Sequence, residues 1–261
     1  MASPDWRGLV DAARSATATA ELAARAVPVI DLTSLTGDET PAEIEGLCAR
    51  AVAHGTAAVC IHAEALPIAR PLLSGSPVRL ATVANFPHGG DDLAAAAEET
   101  AAAVAAGADE VDVVAPIEAL LAGDVGLVGE LVEACRAAAG PRITLKLILE
   151  TGVLNEPDLI TAAARAAVMA GIDFLKTSTG KTEVGATLEA AATLLAVCRE
   201  AGGRVGFKAA GGIRTAQAAA GYLQLADAIM GPEWVSARTF RFGASALLDD
   251  LLGRGGAAAG Y

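Results

Sequence analysis

Only four of the chain's 19 basic residues are lysines, and Lys146, Lys176, Lys181 and Lys208 all fall between positions 146 and 208. Three lie inside apolar, strand-like runs: ITLKLILE (143–150), DFLKTST (173–179) and RVGFKAAGG (204–212). The fourth follows at once in a Gly-containing turn, STGK (178–181). Elsewhere the sequence supplies positive charge as arginine. A guanidinium stays charged, whereas an amine can lose its proton and attack a carbonyl. Lysines kept in successive apolar runs therefore point to amine chemistry, an imine formed with an aldehyde or ketone. The bland alternative is compositional accident, or lysines that snorkel out of a core; one residue fits that reading better than three do.

These lysines must be positioned by a repeating scaffold. After an Ala-rich helix over roughly 5–25 comes the β-branched run VPVIDLTSL (27–35). TPAEIEGLCARAVAHG (40–55) then reads as a helix, with Thr40 as N-cap, Pro41 in the first turn, Glu43 completing a capping box and Gly55 ending it. The order helix, glycine, strand recurs along the chain, and strand candidates start near 28, 57, 79, 110, 143, 173, 205 and 239. Most spacings are close to the length of a βα unit. Alternating strands and helices imply a parallel sheet covered on its outer face. With no long linker, and no GxGxxG after the first strand to suggest an open doubly wound sheet, the expected fold is an α/β TIM (β/α)8 barrel. The expected organisation is an N-terminal helical extension (1–26), one barrel domain (27–253) and a tail (254–261).

In such a barrel, alternate strand residues face inward and active sites lie at the C-terminal strand ends. Period two puts Glu110 with Asp112, Thr144 with Lys146, Phe174 with Lys176 and Gly206 with Lys208. Parity does not say which face is inner, but it allows Asp112, Lys146, Lys176 and Lys208 to converge from four adjacent strands. Burial and neighbouring ammonium groups would favour a neutral amine, and Asp112 could shuttle protons. The competing reading is a Lys–Asp ion network that only fills the barrel. The segments STGK (178–181), AGGIR (210–214) and GAS (243–245) follow the last three strands; small residues let backbone N–H groups approach an anion, so a phosphorylated substrate is expected.

The stretches VIDLTSL, ANFPHG, DEVDVV, LKLILETG, DFLKTSTGK, GFKAAGGIRT and FRFGAS together resemble deoxyribose-phosphate aldolase, from about residue 27 to 248. That resemblance implies a metal-independent, cofactor-free barrel enzyme. It would reversibly cleave 2-deoxy-D-ribose 5-phosphate to D-glyceraldehyde 3-phosphate and acetaldehyde through a lysine imine. It implies Lys176 as the nucleophile, Lys208 as the lysine that lowers its pKa, and Asp112 as the proton relay. Lys146 becomes an electrostatic neighbour, with Asp31 and Cys60 lining the pocket and Gly180, Lys181, Gly211, Gly212 and Ser245 cradling phosphate. Spacing alone leaves the choice between Lys176 and Lys208 open. Two departures stand out. Ala209 replaces a proline common in the family, which should loosen that strand end slightly. Ala246 replaces a common serine, which removes a hydroxyl from the phosphate site. Some relatives end in a tyrosine that enters the site, so Tyr261 is either a pocket residue or a free terminus. Relatives are often dimers, making a homodimer the expected assembly.

Other features narrow the alternatives. A formal net charge of −12 argues against nucleic acid or an anionic membrane as partner, leaving small phosphosugars and aldehydes as the expected ligands. Cys48, Cys60, Cys135 and Cys198 show no CxxC pairing, and MASPDWRGLVDAAR does not read as a signal peptide, so a reduced, cytoplasmic protein is expected. No run of about eighteen apolar residues suggests a membrane span. His54, His62 and His88 lack HxH or HxxxH spacing and do not suggest zinc. Trp6 and Trp234 read as surface-packing residues, and PEW near 232 as a helix start. Two further readings stay open: another phosphate-handling barrel enzyme, or a catalytically silent barrel that binds phosphosugars.

Overall fold

A computed structural model describes residues 6–253. Eight parallel strands close into one barrel in sequence order: β1 (Ile30–Thr33), β2 (Ala58–Cys60), β3 (Arg79–Ala84), β4 (Glu110–Val114), β5 (Thr144–Ile148), β6 (Phe174–Lys176), β7 (Gly206–Ala210) and β8 (Phe240–Ala244). β8 returns to pair with β1, Asp31 lying opposite Gly243. The TIM barrel expected from the sequence is the fold.

The helices that cover it are α3 (Pro41–His54), α4 (Leu66–Leu72), α5 (Leu93–Ala105), α7 (Gly126–Ala139), α9 (Pro157–Met169), α10 (Leu188–Glu200) and α11 (Ala216–Met230). Shorter helices, α6 (Ile117–Leu121), α8 (Thr151–Leu154) and α12 (Leu247–Leu251), sit in the connections. Local chemistry sets their ends. Thr40 and Glu43 form the reciprocal capping box, with Pro41 at the first turn and Gly55 closing α3 at φ +67°. Thr187 and Thr215 cap α10 and α11 through their hydroxyls.

The N-terminal extension departs from expectation. Instead of one helix over 5–25, two short ones form, α1 (Trp6–Arg14) and α2 (Ala20–Ala26). Alanine propensity favours continuation, but the Thr19 hydroxyl accepts from Leu22 N and caps a new helix, breaking the run. α1 lies so close to α11 that a Cβ on Gly221 would meet the Ala13 carbonyl at 2.9 Å. Trp6 is a packing residue, with the Arg199 guanidinium 5.2 Å from its ring centroid. No helix starts at PEW: Pro232 and Glu233 form a turn, and Trp234 Nε1 donates to Gly203 O at 3.0 Å. The expected tail and Tyr261 lie outside the described residues.

The apolar core lies outside the strands. Ile30, Leu32, Val59, Leu80, Val111, Val113, Leu145, Leu147, Leu175, Phe207, Phe240 and Phe242 join the helices in one cluster. The opposite parity faces the barrel interior, where Ala58, Cys60, Ala81 and Val83 form a small apolar wall. The same parity carries the charged residues Asp31, Glu110, Asp112, Lys146, Lys176, Lys208 and Arg241, alongside uncharged ones such as Phe174, Gly206 and Gly243. Among the described residues no helix is long and apolar enough to cross a membrane.

Candidate active site

Period two selects the inner residues of each strand, and the barrel brings their ends together. Asp31 from β1, Glu110 and Asp112 from β4, Lys146 from β5, Lys176 from β6, Lys208 from β7 and Arg241 from β8 form one buried network. Lys146 Nζ lies 2.6 Å from Glu110, 2.7 Å from Asp112 and 3.8 Å from Asp31. Lys208 Nζ donates to Asp31 Oδ2 at 2.5 Å and to Asp112 Oδ2 at 2.8 Å. Arg241 grips Glu110 through both terminal nitrogens, at 2.8 and 3.0 Å, and reaches Asp31 at 2.5 Å. Lys176 Nζ has one carboxylate contact, Asp112 Oδ2 at 2.9 Å, an oxygen it shares with Lys208.

Three carboxylates therefore face four cationic groups. The network is neutral when one amine is unprotonated, and Lys176 has the weakest claim to a proton. Its pKa is lowered, first by burial and further by the Lys208 ammonium, against the opposing pull of Asp112. Lys146 and Lys208 are equally buried, yet their pKa values are raised, because several carboxylates outweigh desolvation. Asp112 is held well below the usual carboxylate range against the cost of burial, by Lys146, Lys176 and Lys208; Asp31 is lowered likewise by Arg241, Lys208 and Lys146. Burial pushes the Cys60 thiol up, which makes it a poor nucleophile.

Above this layer lies a cavity of about 280 Å3, with Lys176 on its floor and Gly180, Lys181, Gly211, Gly212 and Ser245 on its walls. Asp31, Cys60, Asp112, Lys146 and Lys208 are buried below that floor and are not among its lining residues. Lys181 Nζ crosses the mouth to donate to Leu35 O at 2.5 Å, joining the loop after β6 to the one after β1. Gly211 packs against Gly185, where a Cβ would approach Gly185 Cα to 2.9 Å, and it adopts φ +89°; a side chain is excluded there twice over. The strand end at Ala209 is held by pairing on both sides. β7 stays paired through Ala209 and Ala210, and Thr177 Oγ1 both donates to Ala210 O and accepts from Ala210 N. Ala246 precedes α12 without a side-chain cap.

Glu110 and Arg241 complete the network but were not singled out from sequence as site residues. Glu110 carried a signal, sharing parity with Asp112. Arg241 carried a weaker one, a charge between two phenylalanines in FRFGAS (240–245). Glu150 is a further buried acid, and no sequence pattern marks it. It is buried at φ +48°, and its carboxylate accepts from Thr179 N at 3.2 Å, from the Thr179 hydroxyl, and from the Thr182 hydroxyl at 3.1 Å. It thereby tethers the loop bearing Gly180 and Lys181. His62 packs edge-on against Phe86, with ring centroids 5.8 Å apart. The four cysteines are buried and free. Among the described residues no group of three or more His, Cys, Asp or Glu side chains could hold a metal ion.

A parallel barrel with titratable groups at the strand ends and a cavity above them defines a barrel of the enzyme type. The chain belongs to the DeoC/LacD aldolase family, whose model matches residues 25–253. Among solved structures, a candidate deoxyribose-phosphate aldolase of Coccidioides immitis is 28% identical, with TM-score 0.79 over 95% of this chain and 96% of that one. A candidate of the same kind from Toxoplasma gondii is 24% identical with TM-score 0.83, over 90% and 94% of the two chains. The tetrameric deoxyribose phosphate aldolase of Aeropyrum pernix is 23% identical with TM-score 0.74, over 98% and 100%. The latter two share the fold.

Proposed function

We propose that this aldolase cleaves 2-deoxy-D-ribose 5-phosphate reversibly to D-glyceraldehyde 3-phosphate and acetaldehyde through an imine on Lys176. The observation that carries the proposal is the unequal sharing of carboxylates. Lys176, alone among the buried amines, has a lowered pKa, and it is the one that reaches the cavity.

The neutral amine attacks the aldehyde carbon of the open-chain sugar, and loss of water leaves a protonated imine. A base then takes the proton of the C3 hydroxyl, the C2–C3 bond breaks, and its electron pair moves toward the iminium nitrogen to give an enamine. Glyceraldehyde 3-phosphate departs. Protonation of the enamine carbon and hydrolysis return acetaldehyde and free Lys176. Asp112 holds both Lys176 and Lys208 on one oxygen, so it is the assigned relay for these protons, directly or through water. Lys208 keeps its charge and holds the Lys176 proton affinity down. Lys146, Asp31, Glu110 and Arg241 act by positioning and neutralising. Gly180, Lys181, Gly211, Gly212 and Ser245 would bind the phosphate at the mouth through backbone N–H groups and one ammonium. A homodimer remains our expectation for the assembly, and Tyr261 a candidate visitor to the site.

The test is cleavage of 2-deoxyribose 5-phosphate in chelator-containing buffer, read through coupled detection of glyceraldehyde 3-phosphate. Turnover by the wild type and its abolition in Lys176→Ala are expected. Ligand binding without turnover in the wild type would instead favour the silent phosphosugar-binding barrel.

A further inference from the structure

We infer that the opposite, N-terminal mouth of the barrel binds a small polyanion carrying a diphosphate or two phosphoryl groups. A cavity of about 770 Å3 opens there, lined by Arg79, Arg142, Arg204 and Arg238, with Arg241 reaching it from inside the barrel. The volume lies within the range of small-molecule sites.

The placement is systematic. Arg79, Arg142 and Arg204 have the same parity as Ala81, Lys146 and Lys208, the inward residues of β3, β5 and β7. They stand at the entrances of three alternate strands, as a ring below the charged layer, and Arg238 joins them two residues before β8. All four are exposed, and among the described residues their guanidinium groups form neither a salt bridge nor a hydrogen bond. Acids are not scarce in a chain of formal net charge −12. The two acids of the cavity are already engaged, Glu110 with Lys146 and Arg241, and Asp173 with Arg136 at 2.5 Å.

A purely structural role has a different appearance nearby. Helix C-termini end on this face with partial negative charge, and basic residues can satisfy their last carbonyls. Arg136 does so at the end of α7, donating to Gly140 O at 3.2 Å, and it also donates to Ile143 O before β5 at 2.7 Å. The four ring arginines touch no such carbonyl. Unpaired forks converging on a cavity match the geometry by which arginine takes phosphate oxygens in pairs. Several separate cations favour a ligand with several charged oxygens over a single phosphomonoester, which distinguishes this mouth from the Gly-rich one above Lys176.

Calorimetric titration of the full chain with inorganic diphosphate at low salt tests the assignment, with orthophosphate in parallel. A diphosphate site tighter than orthophosphate is expected, separate from any phosphate taken up at the Gly-rich mouth. Its Kd should rise at least tenfold in Arg142→Gln/Arg204→Gln and stay within about twofold in Lys181→Gln, which alters only the other mouth. Arg79→Gln/Arg238→Gln serves as a second pair should the first fail to fold, judged by thermal melting. No binding by the wild type, a Kd insensitive to the folded arginine variants, or loss of binding in Lys181→Gln would overturn the inference.

Discussion

Lys176, Lys146 and Lys208 are alike in burial and differ in company. Desolvation alone would depress all three amines, and carboxylate contacts reverse the sign for two of them. The Lys208 variant isolates this balance. Lys208→Ala removes a repelling charge and leaves the shared Asp112 oxygen to Lys176 alone, so both changes raise the Lys176 pKa. Each unit of rise lowers the neutral fraction about tenfold at pH values below it. The cleavage rate of Lys208→Ala should therefore fall heavily at pH 7 and recover in part as pH rises, with its rate–pH midpoint displaced upward from the wild type. Near-normal turnover with an unmoved profile would remove the pKa argument. At this scale much was legible in sequence. Period two placed Asp112 with Glu110 and put each lysine on a definite face. The partners of Arg241 were not legible, because Asp31 is far away in sequence and meets it only when β8 closes against β1.

Among the elements, the strands were more legible than the connections. Apolar runs of four to six residues between helix ends mark strands strongly, and all eight lie within two residues of the positions expected. The N-terminal run breaks into two helices because the Thr19 cap starts a new one, a signal that the surrounding alanine masks in sequence. The loop after β6 hides its anchor for a different reason. Glu150 precedes α8 in a left-handed backbone conformation that no local pattern announces, and its partners Thr179 and Thr182 are on another unit. Glu150→Ala would leave the buried Thr179 N–H without its partner, a loss of about 1–3 kcal/mol. Chemical denaturation should record that loss. KM for the phosphorylated sugar should rise more than kcat falls, since the change acts on the loop carrying Gly180 and Lys181. A stability loss with an unchanged KM would separate Glu150 from the binding loop.

The whole molecule combines an apolar shell outside its strands with a charged layer inside them. Such a layer depends on mutual neutralisation, because an uncompensated buried charge costs about 3–5 kcal/mol. Asp31 and Asp112 have folded pKa values below the ordinary 3.8, so the stability they contribute is present in full above that value and is lost as pH falls toward their lowered pKa values. Denaturant unfolding of the wild type and Asp31→Asn should show a difference of that size from pH 5 to 7. The difference should shrink steadily below pH 4; one that grew on acidification would contradict the sign. The closed barrel itself was readable from the βα spacing.

Borohydride trapping with acetaldehyde in metal-free buffer, read by peptide mass spectrometry, tests whether Lys176 is the imine-forming amine. An ethyl group is expected on Lys176 and on no other lysine, with reduced labelling in Lys208→Ala at pH 7. Labelling at Lys208 would keep the chemistry and reverse the assignment of the two amines. Folded protein with no adduct at any lysine would contradict the aldolase mechanism itself.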